Sequence, residues 1–179
     1  MSAKLLAPGQ VQIYTGKGKG KTTAAFGLAF RAAGRGYPVY IGQFLKNGEY
    51  GEHQAIKWSG GLIKVQQFGL GGFVGGRGNA TEQDKALAAA GLTSIFQALL
   101  SEEYALVVAD EINVAVEYGL VAEQDVLDLI RQRPDGVELV LTGRYATVAV
   151  IEAADLVTEL VPVKHYFQTG LPARDGIER

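Results

Sequence analysis

Thr15-Gly16-Lys17-Gly18-Lys19-Gly20-Lys21-Thr22-Thr23 decides how the rest of this chain is read. Ahead of it, Val11-Gln12-Ile13-Tyr14 has the composition of a short β-strand, and behind it Ala24 to Ala33 has that of a helix. A Gly-rich turn between a strand and a helix is the setting in which a phosphate-binding loop works. Gly16, Gly18 and Gly20 let successive backbone N–H groups converge on one anion, and the helix adds the positive end of its dipole. Lys21 brings a full charge to phosphate oxygens, and the Thr22 hydroxyl is placed to ligate Mg²⁺. Lys17, Lys19 and Thr23 complete the cradle. The competing reading is a Gly/Lys-rich surface turn, and it leaves the closing Gly-Lys-Thr and the flanking elements unaccounted for. The loop is a variant. In G-x-x-x-x-G-K-[ST] the first glycine would stand at position 15, which is threonine here, and the glycine has moved to Gly16. The usual pose of the nucleotide is therefore not carried over.

Outward from the loop, apolar β-favouring runs alternate with helix-period stretches. Strands are predicted over 39–45, 62–68, 105–109 and 137–142, with a last edge strand over 156–160. Helices are predicted from Thr81, with Asp84 reaching back as a capping box, to Leu100, then over about 123–131 and over 148–154. Gly69 to Asn79 is Gly-rich, has no period and reads as a mobile loop. Strands separated by helices require parallel pairing through right-handed crossovers. The fold expected is therefore α/β, an open and mostly parallel sheet with helices on both faces, as in P-loop NTPases of the RecA-like kind. Ligands of such sheets bind beyond the carboxyl ends of the strands, where the first strand delivers the phosphate loop. There is no linker, repeat or low-complexity tract, so residues 1–179 are read as one domain.

Composition narrows the function classes. A formal charge of −2 gives no global attraction for nucleic acid or an anionic membrane. Cysteine is absent, which excludes disulfides, thiolate catalysis and Cys-ligated metals. No apolar run is long enough to span a membrane and the N-terminus has no signal-peptide character, so a cytoplasmic location is expected.

Asp110-Glu111 directly follows the apolar run 105–109. A carboxylate at the tip of a buried strand is the usual acidic partner of a phosphate loop and holds Mg²⁺ directly or through water. Spacing leaves open whether Asp110 or Glu111 makes the contact, and also allows both to cap the next helix. It leaves Arg31 two places as well, folded back toward the phosphates or extended to solvent from the helix that leaves the loop. Arg144, ending another strand, is a nucleotide contact or a surface residue. His53 and Trp58 are read as structural, and the tail from Val163 onward as either a cover over a ligand or, the reading preferred from the residues alone, a packed terminus.

Several segments occur together in a telling order: the loop with Ala24-Ala25, then Gln43-Phe44-Leu45-Lys46, Asp110-Glu111-Ile112-Asn113, Leu141-Thr142-Gly143-Arg144, Ala154-Asp155-Leu156-Val157-Thr158-Glu159 and Val163-Lys164-His165. In this combination the chain resembles the ATP:corrinoid adenosyltransferases of the BtuR/CobO/CobA type over nearly its whole length. The resemblance implies transfer of the 5′-deoxyadenosyl group of ATP to the Co(I) of a reduced corrinoid, with triphosphate leaving. It implies Lys21, the loop amides, Mg²⁺ on Thr22 and Glu111, and Arg31 as the groups that stabilise that leaving charge. It further implies that Phe73, Lys164 and His165 serve ligand binding, that a flavoprotein or other low-potential donor supplies the reductant, and that the protein is a homodimer. Gly75 stands where enteric members place a tryptophan that helps expel the lower axial ligand, and Lys17 replaces an asparagine common in their loop. Two other functions use the same motifs: an ATPase releasing ADP, and a nucleotide-gated chaperone that hands a corrinoid to an acceptor.

Overall fold

An unbroken apolar run such as Ala105 to Ala109 must be covered on both faces, and the architecture supplies that cover. The computed structural model describes residues 4–71 and 78–178. Along the chain come β1 (Val11–Thr15), α1 (Lys21–Ala33), β2 (Val39–Phe44), α2 (Gly51–Ala55), a 3₁₀ turn (Ile56–Ser59), β3 (Ile63–Phe68) and α3 (Glu82–Leu100). Then come β4 (Leu106–Asp110), α4 (Ile112–Glu117), α5 (Glu123–Gln132), β5 (Glu138–Thr142), α6 (Val148–Glu152), β6 (Leu156–Glu159) and a 3₁₀ turn (Tyr166–Thr169). The sheet order is β3-β2-β4-β5-β1-β6, and each neighbouring pair is parallel. This is the α/β arrangement expected, consistent with a P-loop NTPase fold, with helices on both faces.

The two faces divide the strand residues by parity. On one, Ala25, Phe26, Ala29 and Ala33 of α1 cover Val39, Ile41, Leu106, Val108 and Val140. On the other, Ile95 and Leu99 of α3, Ile112 of α4 and Leu129 of α5 cluster with Phe44, Val107, Leu139 and Leu141. Each of these large aliphatic side chains, removed from water, contributes about 1.5–3 kcal/mol. The predicted capping box at α3 forms: the Thr81 hydroxyl accepts from Asp84 N–H at 3.2 Å, and the Asp84 carboxylate accepts from Thr81 N–H at 2.9 Å. β6 is an edge strand, as expected, with all four residues exposed. Among the described residues, no helix is long and apolar enough to cross a membrane.

α2 and α4, of five and six residues, are additions to the predicted elements. α4 bears directly on the carboxyl edge of the sheet, because Glu111 stands at its start in the left-handed region, φ 63°. With every strand parallel, the carboxyl ends of β1, β4, β5 and β2 share that edge. The loop at 16–20, the Asp110-Glu111 pair, Gly143-Arg144 and Lys46 all leave the sheet there.

Candidate nucleotide site

β1 gives way to the loop at Gly16, φ 94°, and Gly20, φ 114°, caps α1. Both angles belong to the left-handed half of backbone space, where glycine carries no side-chain penalty. Lys21, the first residue of α1, is buried, and its Nζ donates to the carbonyl oxygens of Gly16 at 2.9 Å and Gly18 at 2.7 Å. Burial lowers its pKa from the ordinary lysine value, while the nearby Glu111 and Asp110 carboxylates act in the opposite direction. The loop borders a cavity of about 300 Å³ lined by Lys17, Gly18, Lys19, Gly20, Lys21, Thr22 and Thr23, with Glu111, Arg144, His165, Ile177 and Glu178 closing it. Cations and helix-terminal amides on one side of such a space suit a polyanion.

Asp110 is fully buried at the end of β4, and its carboxylate accepts four hydrogen bonds. Oδ1 receives the hydroxyls of Thr22 at 2.9 Å and Thr142 at 2.7 Å, and Oδ2 receives the Gln43 amide at 2.9 Å and the Lys46 ammonium at 2.7 Å. Burial alone would raise its pKa, but Lys46 and the hydroxyl and amide donors outweigh that and hold the carboxyl below the usual range. Gln43 is itself fixed by His53. The Nδ1 of His53 accepts from Tyr50 N–H at 3.3 Å, so Nε2 carries the proton and donates to Gln43 Oε1 at 2.7 Å. His53 is thus structural, as read, while Trp58 is 84% exposed.

Glu111 differs from its neighbour. Its backbone N–H donates to Thr142 Oγ1 at 2.9 Å, and its side chain lines the cavity. Burial and the adjacent Asp110 charge raise its pKa. With Asp110 committed to four donors, Thr22 and Glu111 are the oxygens that fit a hard cation arriving with phosphate, and Asp110 acts by orienting Thr22. Among the described residues, no group of three or more His, Cys, Asp or Glu side chains converges for a metal. The fit to Mg²⁺ therefore depends on oxygens the nucleotide brings.

Arg31 does not join this site. It sits exposed on the last turn of α1, ten residues beyond Lys21, about 15 Å along the helix axis. The arginine on the cavity is Arg144, delivered by Gly143 after β5. A Cβ on Gly143 would lie 3.0 Å from Val114 N, so glycine lets this turn pass close over α4. His165 lines the cavity and its Nδ1 accepts from Phe167 N–H at 3.1 Å, whereas Lys164 is exposed and lies off the cavity wall. Phe73 and Gly75 lie outside the described residues.

The tail is a wall of the site and not only a packed terminus. Lys19 Nζ donates to Tyr166 OH at 3.1 Å, Ile177 O at 2.9 Å and Glu178 Oε1 at 2.7 Å. Hydrogen bonds from Arg174, Lys19 and Tyr166 hold the Glu178 carboxyl well below the usual carboxylate range. Underneath, Gly18 N–H donates to Leu160 O at 2.7 Å, beyond β6. A Cβ on Gly18 would meet that oxygen at 2.7 Å. Gly18→Ala should therefore push the loop off β6 and weaken ATP binding by about tenfold or more, measured by calorimetric titration; unchanged affinity would show that the loop tolerates the displacement.

The family described as "ATP:corrinoid adenosyltransferase BtuR/CobO/CobP" matches residues 7–179. The chain belongs to this family. Among curated relatives, the corrinoid adenosyltransferase of Sinorhizobium sp is 34% identical over 180 residues, covering 99% of this chain and 84% of the relative. That of Pseudomonas aeruginosa is 36% identical over 171 residues, covering 95% and 83%, and that of Escherichia coli (strain K12) is 34% identical over 171 residues, covering 95% and 85%. The family is one of enzymes, which favours turnover at this site over simple nucleotide storage.

Proposed function

We propose that this protein transfers the 5′-deoxyadenosyl group of ATP to the Co(I) centre of a reduced corrinoid and releases triphosphate. The observation that carries the reading is the cavity in which Lys21, Lys17 and Arg144 surround the place of a polyphosphate, in a chain that belongs to the corrinoid adenosyltransferase family over residues 7–179. In the reaction the Co(I) electron pair forms a Co–C bond to C5′, and the C5′–O bond breaks with its pair leaving on triphosphate. The corrinoid brings the nucleophile, so the protein's work is orientation and charge stabilisation.

Lys21 exchanges the carbonyls of Gly16 and Gly18 for phosphate oxygens, and the loop amides and α1 terminus take the rest of the chain. Arg144 meets charge that grows on the leaving group. Thr22 and Glu111 would hold Mg²⁺, which supplies further neutralisation of the triphosphate. A second cavity of about 430 Å³ shares Thr22, Thr23 and Glu111 with the first and adds Phe26 and Tyr50. It offers the nucleoside an apolar and aromatic wall next to the phosphates. A low-potential donor such as a flavoprotein supplies Co(I), and the protein works in the cytoplasm as a homodimer.

An anaerobic assay with Mg-ATP and chemically reduced cob(I)inamide tests this. A light-sensitive Co–C product with one triphosphate per turnover is expected. ADP and phosphate with unaltered corrinoid would instead make the protein an ATPase. A single bound equivalent without turnover would make it a corrinoid chaperone.

A further inference from the structure

Leu45, φ 60°, turns the chain after β2, and the next side chain, Lys46, runs back over the carboxyl edge of the sheet. Its Nζ lies 2.7 Å from Asp110 Oδ2 and 3.2 Å from Thr22 Oγ1. The Tyr50 ring flanks it, with its centroid 5.7 Å from Nζ. The Lys46 side chain is 17% exposed and that of Asp110 0%, so the pair is largely withdrawn from water. The 2.7 Å ion pair with the Asp110 carboxylate compensates the ammonium for the water it has lost. A full positive charge thus already rests against both the hydroxyl that a phosphate-loop metal uses and the carboxylate that orients it.

We propose that Lys46 is the resident cation of the metal position: it neutralises Asp110 while nucleotide is absent and makes divalent-cation binding conditional on the triphosphate. A divalent ion on Thr22 Oγ1 would stand beside the ammonium, and the two repel strongly where little water screens them. Without nucleotide, the ammonium and a divalent ion would bring three positive charges against the two negative charges of Asp110 and Glu111, which leaves the repulsion uncompensated. The triphosphate brings enough negative charge for both cations, and Lys46 remains on Asp110. Lys46 is a positioning residue, since it touches Asp110 and Thr22 and not the reacting atoms. The inference rests on the reading that Thr22 and Glu111 receive Mg²⁺ together with ATP, and it is independent of the corrinoid chemistry.

Mn²⁺, whose free ion is read directly by electron paramagnetic resonance, serves as the probe, with thermal melts confirming the fold of each variant. Wild-type protein should bind Mn²⁺ weakly alone and firmly with ATP. Lys46→Gln should bind Mn²⁺ without nucleotide at least about tenfold more tightly than wild type. Lys46→Arg, which keeps the charge, should stay within about twofold of wild type. Adding Asp110→Asn to Lys46→Gln should remove the gain, which assigns it to this carboxylate. Lys46→Met, which keeps the packed stem, replaces Lys46→Gln if the latter does not fold. Firm nucleotide-free binding by wild type would overturn the proposal, as would a folded Lys46→Gln no tighter than wild type, or an equal gain in Lys46→Arg. Mn²⁺ that fails to bind wild type even with ATP would overturn the metal reading itself.

Discussion

Lys21→Ala should lower the turnover of cob(I)inamide adenosylation by at least about 10²–10³-fold and leave the melting temperature unchanged or slightly higher. The two halves of this expectation come from one geometry. The Lys21 ammonium is buried and satisfied by two loop carbonyls, Gly16 and Gly18, which on the proposed function it trades for phosphate oxygens as charge builds on the leaving group. Its pKa is lowered by burial, which means the folded state disfavours the charged form. A lysine of that sign contributes no stability at neutral pH, and removing it takes no packing from either face of the sheet. Single-turnover kinetics with Mg-ATP, paired with a thermal melt, measure both. Retained turnover would sink the phosphate-loop assignment, and a large loss of stability would sink the electrostatic account.

The second large effect is on folding. Asp110→Asn should destabilise the protein by about 3–5 kcal/mol, because it leaves the Lys46 ammonium in a largely buried place without its counter-charge. The sign of the pH dependence comes from the same contacts. The folded-state pKa of Asp110 is lowered, so its contribution is fully present above the unfolded carboxylate pKa of about 3.9 and is lost as pH falls through the folded value. Glu111 runs the other way: its raised pKa is a penalty above the unfolded value, relieved as pH falls. The difference between wild type and Asp110→Asn in urea titrations across the acid range isolates Asp110. It should shrink toward acid pH. A difference that stays constant to about pH 3 would place the stabilisation in packing and not in the charge.

How much of this was legible in the sequence depends on the range of each interaction. The loop, the Thr81–Asp84 cap and the apolar strands are local patterns, and their chemistry is written in adjacent residues. The edge position of β6 was also readable, as a short final strand after the last helix. Arg31 is near Thr22 in sequence, and helix rise carries it away from the site. Lys46 and Arg144 meet the loop only because β2, β4 and β5 lie side by side in register, which spacing along the chain does not reveal. Glu111 is separable from Asp110 only by the four donors gathered around Asp110. The tail could not be decided for a related reason. It has no period of its own, and its order comes from Lys19 reaching across to Tyr166, Ile177 and Glu178.

That last contact ties the loop to a segment far along the chain. The phosphate cavity is floored by residues near the start of the chain and walled by His165, Ile177 and Glu178 near the end, so its closure is among the most non-local events of folding. A chain cut after β5 would carry the complete loop motif and most of the sheet, yet lack these three walls. On the proposed reading, ATP affinity therefore rests as much on a contact that spans 159 residues of sequence, Lys19 to Glu178, as on the motif itself.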